Sequence, residues 1–245
     1  MIVEVAVDSA TGGGAAARGG ADRIELCQDL AAGGLTPSLG LLDTVRDSVR
    51  IPIVAMVRPR PGDFLYDRAE FATMLRDIGH LRSAGAAGIV TGVLLANGHV
   101  DRERLGELLA AAAPLPVTFH RAFDVAAEPL AALATLHELG VARVLTSGQA
   151  RDAVAGAAAI AACVRAARPG LSVMAGAGVR DTNVRELVAA TGVREVHLSA
   201  TAWQQSGMTF RRADVPMGAT APVDEFALRA TDAEHVARVV AALRR

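Results

Sequence analysis

At 245 residues, with 51% hydrophobic side chains and a formal net charge of -1, the chain suits one large α/β domain with a sizeable core and lacks the composition of a disordered segment. It carries no block of like charge and no apolar run of ~18 residues, which sets aside nucleic acid and membrane as partners and points to a cytoplasmic protein. All 25 lysine-plus-arginine positions are arginine. That excludes Schiff-base and pyridoxal-phosphate catalysis and a Walker-type phosphate loop, each of which needs a lysine amine.

Eight short apolar runs begin near residues 2, 22, 52, 87, 116, 142, 171 and 195, a spacing of roughly 20 to 35 residues that belongs to βα units. In the first, Ile2 to Val7, alternation turns Glu4 and Ala6 to one side, the inside of a barrel. Asp8-Ser9 then opens a small-residue helix. Its Gly12-Gly13-Gly14 with Ala17 formally matches a dinucleotide loop, but Glu25 follows Gly14 after only 11 positions, where that pattern sets its acid about 20 residues on. A helix packed closely on the sheet is the simpler reading, and no nucleotide cofactor is expected.

In the second run, Arg23 to Cys27, Glu25 and Cys27 share a face. Thr36 is a plausible helix cap with Pro37 at the first helical position. The third run, Pro52 to Val57, ends in Arg58-Pro59-Arg60, a proline-stiffened arginine loop suited to an anion. Asp67 and Glu70 form a capping box for a helix lined by Phe71, Met74, Ile78 and Leu81. The fourth run ends at Thr91, and Asp101 caps a helix reaching about Ala112.

The fifth, Leu115 to Phe119, presents His120 with Arg121 and Asp124 in the loop beyond, and Leu130, Leu133, Leu136 and Leu139 line the helix after it. The sixth ends in Thr146-Ser147-Gly148 before a helix over Ala150 to Ala167, whose Cys163 is a small buried hydrophobe. The seventh leads to Gly176-Ala177-Gly178 and a helix near Asn183, with Glu186 completing a possible box. The eighth carries His197 and then Ser199. A long loop follows over about 200–228, with Trp203, Met208, Arg211, Arg212 and two prolines, before Thr231 and Glu234 cap a closing helix. The pattern predicts a single TIM (β/α)8 barrel over residues 1–245.

If the alternation holds, Glu4, Glu25, Arg58, Thr91, His120, Thr146 and His197 point inward near the C-terminal ends of different strands, where TIM-barrel active sites are built. His120, oriented by Asp124, could move a proton near neutral pH, with Glu25 as a second carrier and Arg58 as a charged anchor. A small anionic ligand could rest on the loops after strands 6 to 8, against Ser147, Gly148, Gly176, Gly178 and Ser199, its charge met by Arg58, Arg60 or Arg121. A structural reading stands beside this one: the carboxylates pair with Arg23 or Arg58, and the glycines only permit tight turns.

Gly20-Ala21-Asp22-Arg23-Ile24-Glu25-Leu26-Cys27, Gly33 to Ser38, Arg58 to Phe64, Thr91 to Leu94, Thr118 to Asp124, Leu145 to Gly148, Ala175 to Val179 and Val196-His197 together resemble the CutC family of copper homeostasis proteins. The resemblance runs from about Glu4 past Trp203. It implies a TIM barrel, a cytoplasmic location and a role in copper homeostasis. Members thought to bind Cu(I) resemble this chain at Cys27 but commonly carry a second cysteine two residues after the first-strand glutamate, where this chain has Ala6.

Cu(I) prefers soft thiolate or thioether ligands, so Cys27, with Met56 or His197 recruited, would form a thin set and bind weakly. A buried thiol without metal is the other outcome. The different-class alternative is a cofactor-independent lyase or isomerase acting on a small phosphorylated or carboxylated substrate. A homodimer is the expected assembly.

Overall fold

Alternation in the apolar runs assigns each side chain to one of two layers. The strands are β1 (Ile2–Val7), β2 (Arg23–Leu26), β3 (Ile53–Met56), β4 (Gly88–Thr91), β5 (Val117–Phe119), β6 (Arg143–Thr146), β7 (Ser172–Ala175) and β8 (Glu195–Leu198). Each pairs in parallel with the next, and β8 returns to β1 with Glu4 opposite His197, so the sheet is closed and has no edge. Outward side chains such as Val5, Ile24, Phe119 and Val196 form one apolar layer with the helices. Inside, Cys27, Val54, Met56 and Val90 make a small apolar cluster, and the rest of the lumen is strongly polar. The structure, a computed structural model, describes residues 1–212, 214–215 and 224–244.

The helices are α1 (Ala10–Arg18), α2 (Leu39–Ser48), α3 (Arg68–Ser83), α4 (Arg102–Ala112), α5 (Pro129–Glu138), α6 (Ala157–Ala166), α7 (Val184–Thr191) and α8 (Ala233–Arg244). Ser9 caps α1, Asp67 and Glu70 close a reciprocal capping box on α3, and Asp101 caps α4. A Cβ on Gly13 would lie 2.8 Å from Val45 of α2. That glycine serves close helix approach.

Several expected boundaries move, each for a local reason. Ser38, not Thr36, caps α2; Thr36 instead accepts from the Arg58 amide at 3.0 Å and donates to the Arg58 carbonyl at 3.2 Å, tying the loop after β2 to the end of β3. Helix α6 begins at Ala157 rather than Ala150, because the backbones of Gly148 and Gly156 meet with no room for a Cβ on either. Asn183 makes no side-chain cap for α7; it accepts from the Arg180 amide and donates to the Gly178 carbonyl.

The stretch after β8 is more than a loop. Strand β9 (Thr201–Gln205) pairs antiparallel with β10 (Ala227–Thr231), so Thr231 ends a strand and Asp232 accepts from the Glu234 amide at the start of α8. Pro216 and Pro222 lie outside the described residues.

Candidate functional site at the barrel mouth

A cavity of about 940 Å³ opens at the C-terminal ends of the strands. Glu25, Arg58, His120, Arg121, Asp124, Gly178, His197 and Ser199, all singled out from the sequence, line it. Ala6, opposite Glu25 in the β1–β2 register, contributes a small side chain to the floor. The sequence did not single out Phe64, Arg180, Arg229, His235 and Arg238, which line it too. Phe64 was the most findable of them, an aromatic inside the arginine loop; the others lie on surfaces with no motif of their own.

Strand parity removes two residues. Thr91 and Thr146 follow inward-facing neighbours and therefore point outward: Thr91 donates to the Val57 carbonyl at 3.1 Å, and Thr146 donates to Asp124 at 2.5 Å. Four more stand off the cavity. Arg60 pairs with Glu70 and Asp63, at 2.5 Å and 3.0 Å, in the loop before α3. Ser147 is buried, donating to the Ala150 carbonyl. Gly148 packs on Gly156, and Gly176 makes room in the lumen, since a Cβ there would lie 2.6 Å from Leu145.

Asp124 does not orient His120. Its carboxylate accepts from Thr146, from the Ser147 amide and from Arg121 at 2.7 Å, so it organises the β6 loop instead. His120 is set by its own loop: Nδ1 accepts from the Ala122 amide at 3.1 Å, which places the ring proton on Nε2. Burial, with the Arg58 charge adding to it, pulls the imidazole down to about 3, so the ring is neutral. The Phe64 ring lies 4.9 Å from the imidazole and 5.2 Å from the Arg58 guanidinium.

Arg58 is only 7% exposed and donates to the carbonyls of Ala32, Gly34 and Gly62, but no carboxylate pairs with it among the described residues. Four buried side-chain atoms of those residues lack any hydrogen-bond partner, and three belong to this cavity: Glu25 Oε1, Arg58 Nε and His120 Nε2. Such groups cost free energy unless something in the site meets them.

Beneath the cavity runs a chain of ion pairs through the lumen. Arg143 donates to Glu195 at 2.6 Å, Arg23 to Glu195 at 2.6 Å and also to Glu4. His197 Nδ1 lies 2.8 Å from Glu4, and its Nε2 3.7 Å from Glu25. Burial alone would raise Glu4, but the hydrogen bond and charge of His197, with Arg23 beside it, hold that carboxyl at about 2. Burial would likewise lower His197; Glu25 and Glu4 outweigh it and raise the imidazole. Glu25 is pushed up by burial, His197 only partly offsetting this and Glu4 adding to it. Glu25 and His197 are thus both raised, the glutamate by burial and the imidazole by the carboxylates beside it.

The donors do not fit Cu(I). Glu4, Glu25 and His197 offer ligand atoms within 4.8 Å of one another, but these are oxygen and nitrogen donors, and Glu4 already serves Arg23 and His197. Cys27 is fully buried, donates to Glu25 at 3.5 Å, and has its thiol pushed well up by burial and by the Glu25 charge. A soft ion needs the thiolate, which this surrounding disfavours. Met56 shares the Cys27 cluster. Cys163 is buried on α6, away from the lumen.

The CutC family matches residues 1–202. The human copper homeostasis protein cutC homolog is 46% identical over 236 residues, 96% of this chain and 86% of that protein. A family protein CutC of Citrobacter koseri is 50% identical over 224 residues, 91% of this chain and 90% of the relative. The solved CutC of Streptococcus agalactiae, described for copper homeostasis, superposes with a TM-score of 0.76 at 30% identity, covering 81% of this chain and 98% of its own. Oxaloacetate acetylhydrolase, at 16% identity and a TM-score of 0.57, shares the fold alone over 81% of this chain and 75% of its own.

Proposed function

The chain belongs to the CutC family and is a copper homeostasis protein of the CutC type, and from that premise we propose that its barrel mouth binds a small organic anion and moves a proton on it. The single observation that carries this reading is the trio of unpartnered atoms of Glu25, Arg58 and His120 in one cavity. Arg58, a buried charge with no paired carboxylate among the described residues, anchors a carboxylate. Glu25, raised toward the working pH, takes a proton from the carbon next to a ligand carbonyl. The electron pair moves onto the carbonyl oxygen, toward which His120 Nε2 donates as a neutral imidazole. Return of the proton to the same carbon gives exchange; where that carbon carries a hydroxyl, the hydroxyl proton passes to the former carbonyl oxygen and the carbon-bound proton returns at the former carbonyl carbon, an isomerisation, which makes a cofactor-independent isomerase or lyase the reaction class.

Cu(I) binding under this reading is weak and depends on Cys27. A cytoplasmic homodimer is compatible with it: the two cysteines are free thiols, and Trp203 and Phe210 are exposed apolar surface. No helix of the described residues is long and apolar enough to cross a membrane.

The test has two arms. Small 2-oxo acids incubated with the protein in deuterium oxide should exchange the proton beside the carbonyl, followed by NMR, and Arg58→Met should abolish the exchange. Competition with a Cu(I) chelator should show weak binding that Cys27→Ser removes. Tight Cu(I) binding that survives Cys27→Ser, with no exchange on any acid, would overturn the proposal.

A further inference from the structure

We infer that the β7–β8 side of the mouth is a phosphate seat, so that the ligand is a small phosphorylated acid held at both ends. This rests on the reading of the mouth as an anion site but concerns a different part of it. Of the charged side chains on that rim, Arg238 is paired with Asp181 at 3.2 Å, which leaves Arg180 and Arg229 without a carboxylate among the described residues. Arg180 comes from the loop between β7 and α7. Arg229 comes from β10, where it donates to Thr201 at 2.8 Å and lies 5.8 Å from the Trp203 ring centroid, contacts that hold the guanidinium at the rim. Ser199 and Thr201 add hydroxyls, and His235 of α8 faces the same space.

The number of donors decides the ligand class. Two guanidiniums, two hydroxyls and an imidazole exceed what the two oxygens of a carboxylate accept; they suit a dianionic phosphoryl group with three acceptor oxygens. Arg58 lies in the floor, on the β3 side, clamped by the carbonyls of Ala32, Gly34 and Gly62, and serves the other end. With no lysine in the chain, planar guanidiniums supply both ends, and forked donors favour oxyanions over halide. Loops after strands 7 and 8 are a recurrent phosphate position in TIM barrels; here β10 and α8, beyond the eighth strand, complete it.

The experiment titrates the full chain by calorimetry with inorganic phosphate and, separately, with acetate, at constant ionic strength set by chloride. Phosphate should bind, and the double variant Arg180→Gln, Arg229→Gln should weaken it by about tenfold or more, as expected for losing charge-assisted hydrogen bonds, while leaving acetate within about twofold. Arg58→Met should do the reverse. Both rim arginines are exposed, and thermal unfolding checks that the double variant folds. Absence of phosphate binding by the wild-type chain, or phosphate binding that persists in the double variant and disappears in Arg58→Met, would overturn the phosphate seat. The acetate arm would still report on the Arg58 anchor, so the two readings fail separately.

Discussion

His120 and Glu25 share a cavity, yet burial moves them in opposite directions on the pH scale because it always disfavours the charged form. His120 falls to about 3 and Glu25 rises. Near neutral pH the histidine therefore donates a hydrogen bond without titrating, and Glu25 is the group left to take the proton. Proton exchange on a bound acid should rise as pH passes through the raised Glu25 range, with no further limb from His120. Glu25→Gln should cost about 100-fold or more, the usual contribution of a positioned proton carrier, whereas His120→Gln, which keeps an N-H donor, should cost less. A pH-rate profile of each variant, with thermal unfolding alongside, checks this; equal, complete losses accompanied by unfolding would assign both residues a structural role. These two positions were legible because residue type and a strand end sufficed to find them. The partner of His120 was not: Asp124 stands four residues away in sequence, but a short 3-10 turn, Arg121–Val125, carries it to the β6 loop.

At the level of elements, the period of the apolar runs was nearly the whole fold. β1 and β8 begin where it places them and the other six strands one residue later. Thr91 and Thr146 stand one position beyond the inward-facing Val90 and Leu145, and alternation turns them away from the mouth although they end their strands as the site residues do. The β9–β10 pair was illegible for a related reason. Its residues are mostly exposed, Trp203 and Leu228 included, so no buried face imposes an alternation to read. Where elements meet at the site, small residues set the fit. A Cβ on Gly92, just after β4, would lie 2.6 Å from the His120 ring and 3.0 Å from Ala122. Gly92→Ala should displace the imidazole and destabilise the protein by about 1 to 3 kcal/mol, the usual cost of overpacking. Thermal unfolding and the exchange assay should both register it, and an unchanged exchange rate would show that the ring has slack.

Across the whole molecule the lumen is held by charge as much as by apolar packing, and its pH response follows from the signs of the shifts. Glu4, at about 2 in the folded protein against an ordinary 4.5, contributes stability that is present above about 4.5 and lost as pH falls toward 2; Glu195, lowered by its arginines once burial is overcome, acts in the same direction. His197 is raised above its ordinary 6.5, so its contribution is complete below 6.5 and fades as pH climbs through the raised value. Glu25, also raised, favours the folded state while protonated and loses that preference as pH rises from 4.5. His120, pulled down to about 3 from an ordinary 6.5, adds a contribution that is complete above 6.5 and lost as pH falls toward 3, so His120, Glu4 and Glu195 make the acid limb while His197 and Glu25 make the alkaline one. Removing one partner of a buried pair is costly, so Glu4→Gln, which takes the shared carboxylate from His197 and leaves Arg23 with Glu195 alone, should cost about 3 to 5 kcal/mol at pH 6 and should shrink the acid limb. His197→Gln should remove the histidine's share of the alkaline limb and also shrink the acid one, since His197 helps to hold Glu4 low. Calorimetric unfolding of the three proteins from pH 2 to 9 at fixed ionic strength decides the matter: a melting temperature that is flat across that range, or a Glu4→Gln variant as stable as the parent, would mean that the ion-pair chain is not what holds the lumen together.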